Sequence, residues 1–218
     1  MNRRSFIKVA GYGAGAGMLG ARAAVGAAPE VETSAAEREN SGKQFPMVQV
    51  IPLPEDKASF QYKGQEMLRY HFGTTAPKTY CWPLVGPAGF PVIRLGHPHD
   101  PVRHSHHRGI WVAHGKVNGV NFWEENSGSA IRHEAIELYE DGPAKAKLVA
   151  RNVWFSPKGE RVVTERRTIS ATPLREGECA VDIQLEFHAT EGAVTFDATP
   201  FGFLGVRVAK TMSVAFAS

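Results

Sequence analysis

Apolar and polar positions alternate most cleanly between Cys179 and Ala189, where Val181, Ile183, Leu185 and Phe187 are separated by Asp182, Gln184, Glu186 and His188. A period of two is the signature of a strand with one buried face. Similar runs recur along the chain: Met47–Leu53, Ser59–Tyr62, Glu66–Phe72, Tyr80–Val85, Pro91–Leu95, Ile131–Tyr139, Ala146–Phe155 and Arg161–Ile169 before that strand, then Val194–Phe196, Phe203–Val208 and Met212–Phe216 after it. Turn residues separate them, among them Lys63-Gly64, Gly86-Pro87-Ala88-Gly89 and Ser156-Pro157-Lys158-Gly159. No stretch carries a convincing 3.6-residue apolar period. The pattern predicts an all-β protein, a single antiparallel β-sandwich, of the large two-sheet kind seen in sugar mutarotases.

The segment Ile110–His114 reads as a short buried strand, and Asn118-Gly119 is the pair that best supplies the positive φ angles of a tight hairpin. The return strand Val120–Trp123 is then expected to pair with Ile110–His114.

The beginning of the chain has a different composition. Arg3-Arg4, followed by Phe6, Ile7 and Lys8 and then a Gly/Ala-rich apolar run, resembles a twin-arginine export signal over residues 1–28. The expected location is therefore the periplasm or the exterior. Residues 29–45 read as a disordered linker, and 46–218 as the β-sandwich domain. Val206–Phe216 reads as strand material and the chain stops directly after it, so the domain is expected to be incomplete at its C-terminal end. The full chain has 25 Lys+Arg against 22 Asp+Glu, but Arg3, Arg4, Lys8 and Arg22 lie in the leader, which leaves 21 against 22. The basic balance is thus a property of the leader and is no argument for nucleic acid. No apolar run of membrane-spanning length follows residue 28. Cys81 and Cys179 match no metal spacing, and a disulfide and two free thiols are both open.

Candidate chemistry is concentrated between His97 and Trp123. Six of the nine histidines, His97, His99, His104, His106, His107 and His114, fall there. Imidazole is the side chain best suited to acid–base work and metal ligation near neutral pH. On an extended backbone His104 and His106 share a face and His107 points away. Two chemistries fit. In the first, His104, His106 and His114 hold one divalent transition metal, copper, iron or zinc. In the second, His106, His107 and Arg108 are catalytic, and Asn118, Asn121 and Trp123 bind a sugar-like ligand. Indoles stack on pyranose faces while Arg and Asn bond hydroxyls, and an imidazole serves as acid or base. A non-catalytic interaction module is the third possibility. Trp111 reads as core. Glu165 and Glu186 read as solvated or ion-paired face residues.

Three stretches, YCWPLVGPAGFPVIRL, HSHHRGIWVAHGKVNGVNFW and VTFDATPFGFLGVRVAKTM, resemble the PmoA-like, or methane-oxygenase-like, family, from about Lys57 to the end. The resemblance places the family's signature on His104, His106, His107, Arg108, Trp111, His114, Gly115, Asn118, Gly119 and Trp123. Its label implies a copper oxygenase. The family commonly has an acid where this chain has Lys116 or Asn121.

Overall fold

The computed structural model describes residues 45–96, 104 and 106–213. The leader, nearly all of the linker, His97 and His99, and the last part of the strand expected at Met212–Phe216 lie outside the described residues.

Ten strands make two antiparallel sheets, as the period-two pattern requires. In chain order they are β1 (Val48–Leu53), β2 (Lys57–Tyr62), β3 (Gln65–His71), β4 (Tyr80–Leu84), β5 (Ile110–His114), β6 (Ala130–Glu140), β7 (Ala146–Phe155), β8 (Arg161–Pro173), β9 (Cys179–His188) and β10 (Gly202–Val206). The first sheet runs β1-β2-β3-β4-β5-β10 and the second β6-β7-β8-β9. Helical structure among the described residues is limited to three 3-10 turns, Glu125–Ser127, Arg175–Gly177 and Lys210–Met212. No helix among the described residues is long and apolar enough to cross a membrane.

The sheets meet face to face. Phe60, Leu68, Tyr70, Cys81 and Ile110 of the first pack against Leu148, Ala150, Ile169, Ala171 and Val181 of the second. Inside this core lies a polar network built on Glu165, which was expected on a solvated or ion-paired face; it is ion-paired, but buried. Glu165 and Arg167 are two residues apart on β8, so both point inward, and both are buried. Arg167 donates to Glu165 through Nε (2.6 Å) and Nη2 (3.1 Å) and to Thr79 through Nη1 (2.9 Å). Glu165 also accepts from the Trp154 indole (2.7 Å) and from Asn152 (3.2 Å). Burial favours the neutral guanidine, but the ion pair outweighs it, and Arg167 stays charged. Glu186 does lie on a solvated face, where it pairs with Arg166 at 3.1 Å. Cys81 and Cys179 are free thiols, both pushed up by burial, to about 12 and about 11.

The expected hairpin is only half formed. Asn118 and Gly119 take φ of 48° and 77°, and Val117 and Val120 exchange backbone hydrogen bonds of 2.9 Å. Beyond Val120, however, no ladder forms: Phe122 N–H still donates to His114 O (3.0 Å), but the Oδ1 of Asn121 accepts the N–H groups of Trp123 (2.9 Å) and Glu124 (3.2 Å). A side chain that caps backbone donors competes with strand pairing. The open side of β5 is taken by β10, with Gly205 opposite Trp111 and Gly202 opposite His114. These glycines are required because a Cβ would lie 2.2 Å from the Trp111 ring or 2.5 Å from the His114 ring. Val194–Phe196 and Pro91–Leu95 contribute isolated bridges rather than strands.

Candidate functional site

Tyr80 pairs across from Trp111 and Cys81 across from Ile110. Since Cys81 and Ile110 face the second sheet, Tyr80 and Trp111 point to the opposite, outer face of the first sheet. That outer face carries the histidine cluster. The His107 ring stacks on Trp111 (4.9 Å between centroids) and on His104 (5.1 Å), and His106 meets it edge-on at 4.3 Å.

The loop reaches this face because of Gly109. It sits at φ +56°, and a Cβ there would be 2.1 Å from the carbonyl oxygen of Cys81. Its backbone is tied into a three-way weave. Gly109 N–H donates to Arg94 O (3.0 Å), Arg207 N–H to Gly109 O (2.7 Å), and Arg94 N–H to Arg207 O (2.9 Å). The expected extended backbone at His104–His106 is not what forms. His107 N–H donates to His104 O (3.3 Å), closing a turn, so it is His104 and His107 whose rings stack.

Each imidazole has a distinct environment. His107 is half-buried, and its Nδ1 lies 2.9 Å from Nη1 of Arg207. Burial, with His106, Arg207, His104 and Lys78 adding repulsion, brings its pKa down to about 4. His106 is buried; its pKa is lowered by burial, which the nearby Glu124 opposes. Its Nε2 is buried without a hydrogen-bond partner, and the Glu124 carboxylate is 3.8 Å away. His114 is on the other face of β5 from Trp111. Its ring packs on Phe203 (4.7 Å) and Phe196 (5.5 Å), and its Nδ1 accepts the Lys116 N–H at 3.1 Å. His104, His106 and His114 therefore do not converge, and no other set of three His, Cys, Asp or Glu among the described residues could hold a metal ion.

Arg108 is paired with Glu125, through Nε (3.0 Å) and Nη2 (3.4 Å), and its guanidinium lies over the Tyr80 ring. Asn118 serves the fold. Its amide donates to Ala193 O (3.0 Å) and accepts from Thr195 N–H (2.7 Å), pinning that segment. Asn121 spends Oδ1 on the cap described above. Trp123 is partly exposed, backed by Trp111 at 5.3 Å and flanked by Phe201 at 5.9 Å. Lys116 pairs with Asp197 at 3.7 Å.

Three contributors were not read from the sequence. Lys78 is 3% exposed and donates to the carbonyl oxygens of Phe122 and Trp123, so it fixes the segment that carries the indole. Burial lowers its pKa to about 8, Glu125 and Glu124 pulling the other way. Glu124 and Arg207 complete the surroundings of His106 and His107. A lysine before a strand gives no sign that it will be buried; Arg207 within Gly205-Val206-Arg207-Val208 is the one case with a signal, a cation in an apolar run.

The neutral state of His107 has a consequence for stability. With its folded-state pKa near 4 and its ordinary value at 6.5, the unfolded chain takes the proton first. Stability is complete above pH 6.5 and declines as pH falls toward 4. His107→Gln should flatten that decline by ~1–2 kcal/mol, solvent screening included, in urea titrations at several pH values. An unchanged slope with pH would contradict it.

Two cavities lie elsewhere. An apolar one of about 190 Å³ opens between Leu84, Val92, Ile93, Val181, Val206 and Met212, and one of about 290 Å³ lies by Asn118, Ser156, Glu160 and Arg161. Neither is lined by a histidine of the cluster, which occupies a shelf on the sheet.

A family model described as "Family of unknown function (DUF6807)" matches residues 57–217, and the chain belongs to that family. No curated protein and no solved structure matches it. Nothing found links the chain to a methane oxygenase.

Proposed function

We propose that this member of the family binds, and acts on, a carbohydrate-type small molecule at the outer-face shelf, after export through the twin-arginine route. The observation that carries this reading is the pairing of a partly exposed indole with a buried acid–base group. Trp123 offers an aromatic face to a sugar ring, and His106 holds an unpartnered Nε2 with Glu124 3.8 Å away. Buried nitrogen without a partner costs free energy in the empty site and is satisfied by a ligand hydroxyl. His106 then exchanges a proton with that hydroxyl or an adjacent carbon, while Glu124 supports its charged form. His107 and Trp123 set the floor and wall. Arg108, committed to Glu125, holds the loop rather than the ligand.

Intrinsic tryptophan fluorescence across a panel of mono- and disaccharides tests this. Quenching should saturate for at least one sugar, be lost in Trp123→Ala, and survive exhaustive chelation. A response that disappears on chelation supports the competing reading instead, a metal-dependent enzyme in which the unpartnered His106 Nε2 and Glu124 ligate one divalent ion. No response from any sugar, with or without added metal, would leave a non-catalytic interaction module.

A further inference from the structure

The contact between Arg207 and His107 decides which nitrogen of the imidazole carries the proton. A guanidinium has only donors, so at 2.9 Å from Nη1 the Nδ1 of His107 must be the acceptor. The single proton of the neutral ring is then on Nε2. The rest of the ring is occupied: Trp111 covers one face, His104 the other, and His106 stands at an edge. Among the described residues Nε2 has no hydrogen-bond partner. It is a fixed N–H donor on the ring that meets His106 edge-on at 4.3 Å between centroids, and the Nε2 of His106 is itself buried and unpartnered.

We infer that Arg207 is a positioning residue that locks His107 in the Nε2–H form, and that this N–H donates to a carbonyl oxygen of the ligand, so that the substrate class is a sugar in its keto or aldehyde form. This rests on the carbohydrate reading above and narrows it. The accompanying chemistry is enolisation. His106 Nε2 takes the proton from the carbon next to the carbonyl, the C–H electron pair forms the C=C bond, and the carbonyl π pair moves onto oxygen. His107 Nε2–H stabilises the resulting enediolate, as a neutral imidazole donor can. Return of the proton to the same carbon regenerates the starting compound; return to the former carbonyl carbon, once the neighbouring hydroxyl has passed its proton to the enediolate oxygen, gives the isomeric hydroxy-carbonyl compound. No electron acceptor or co-reactant is consumed.

Two measurements test it. In a long-range proton–nitrogen spectrum of the labelled protein, His107 should show the Nε2–H tautomer. Arg207→Ala should give a mixture and Arg207→Lys should restore it. In the second, D-fructose is compared with D-sorbitol, which has the hydroxyls but no carbonyl. Fructose should bind at least tenfold more tightly and take up deuterium from D2O next to its carbonyl. Both effects should vanish in His107→Ala and partly persist in His107→Gln, whose amide N–H stands near the imidazole Nε2. An Nδ1–H tautomer in the unaltered protein would overturn the inference whatever the variants do. Equal binding of the two compounds, or fructose binding without deuterium uptake, would overturn it while leaving the carbohydrate reading intact. Binding of neither, while another sugar of the panel still quenches, would overturn the inference alone; binding of no sugar at all would overturn both.

Discussion

Glu165→Ala should lower the unfolding free energy by ~3–5 kcal/mol, seen as a fall in the denaturant midpoint at unchanged slope. The size follows from what is left behind. Arg167 is 2% exposed and reaches Glu165 through two nitrogens, so removing the carboxylate leaves a buried guanidinium with Thr79 as its remaining charge-assisted contact. The Trp154 indole and Asn152 amide lose an acceptor in the same step. Desolvated charge without a partner is among the few single-residue causes of so large a loss. The double variant Glu165→Leu/Arg167→Met should recover much of it, because well-packed apolar residues replace a buried pair at little cost. A loss below ~1 kcal/mol for the single change would mean that water reaches this pair.

Gly109→Ala is the second large effect, and it should remove the site as well as stability. The left-handed backbone alone costs an alanine ~1–2 kcal/mol. The new Cβ would also lie 2.1 Å from Cys81 O, and backbone cannot rotate aside as a side chain can. Either β4 or the segment 106–108 must then move, adding ~1–3 kcal/mol by the usual cost of overpacking. β4 is hydrogen-bonded to a strand on each side, which makes the loop the part expected to yield, so His107 should come away from Trp111. Expected together are a midpoint loss near that of Glu165→Ala and sugar-dependent quenching at least tenfold weaker. Glu165→Ala, in contrast, should leave quenching intact while the protein is folded. Wild-type-like binding in Gly109→Ala would show that the loop geometry does not make the site.

The strands were legible where one face is wet and one is dry. The alternation in β9 and the long runs of β7 and β8 appear at their expected places; in β9 each residue's environment follows its position in a period of two, while β7 also buries Val149 and Val153 on its other face. Pairing was less legible. Ile110–His114 reads correctly as buried, all five residues being so, but its second partner is β10, far along the chain, instead of the adjacent Val120–Trp123. Local turn chemistry predicted the Asn118-Gly119 reversal, and a side chain, Asn121, ended the ladder. Histidine density picks out the loop that carries the candidate site. Its geometry was hidden, since a shared face for His104 and His106 presumes an extended backbone where a turn forms. Lys78, Glu124 and Arg207 come from three separate segments, and only tertiary packing brings them together. Glu165 looked like a surface acid because its inward partner, Arg167, is adjacent in sequence to an outward one, Arg166.

The central claim is that ligand binds on the outer face of the six-stranded sheet, over the imidazoles and Trp123. Chemical-shift mapping with a quenching sugar, read on indole and imidazole signals, tests it most directly. The account predicts movement of Trp123, His106 and His107 at a common half-saturation, with the fully buried Trp154 indole, on the other side of the sheet, unmoved. Shifts confined to residues around Val181 and Val206, or around Asn118 and Arg161, with the three site rings unchanged, would place the ligand in one of the two cavities and contradict it.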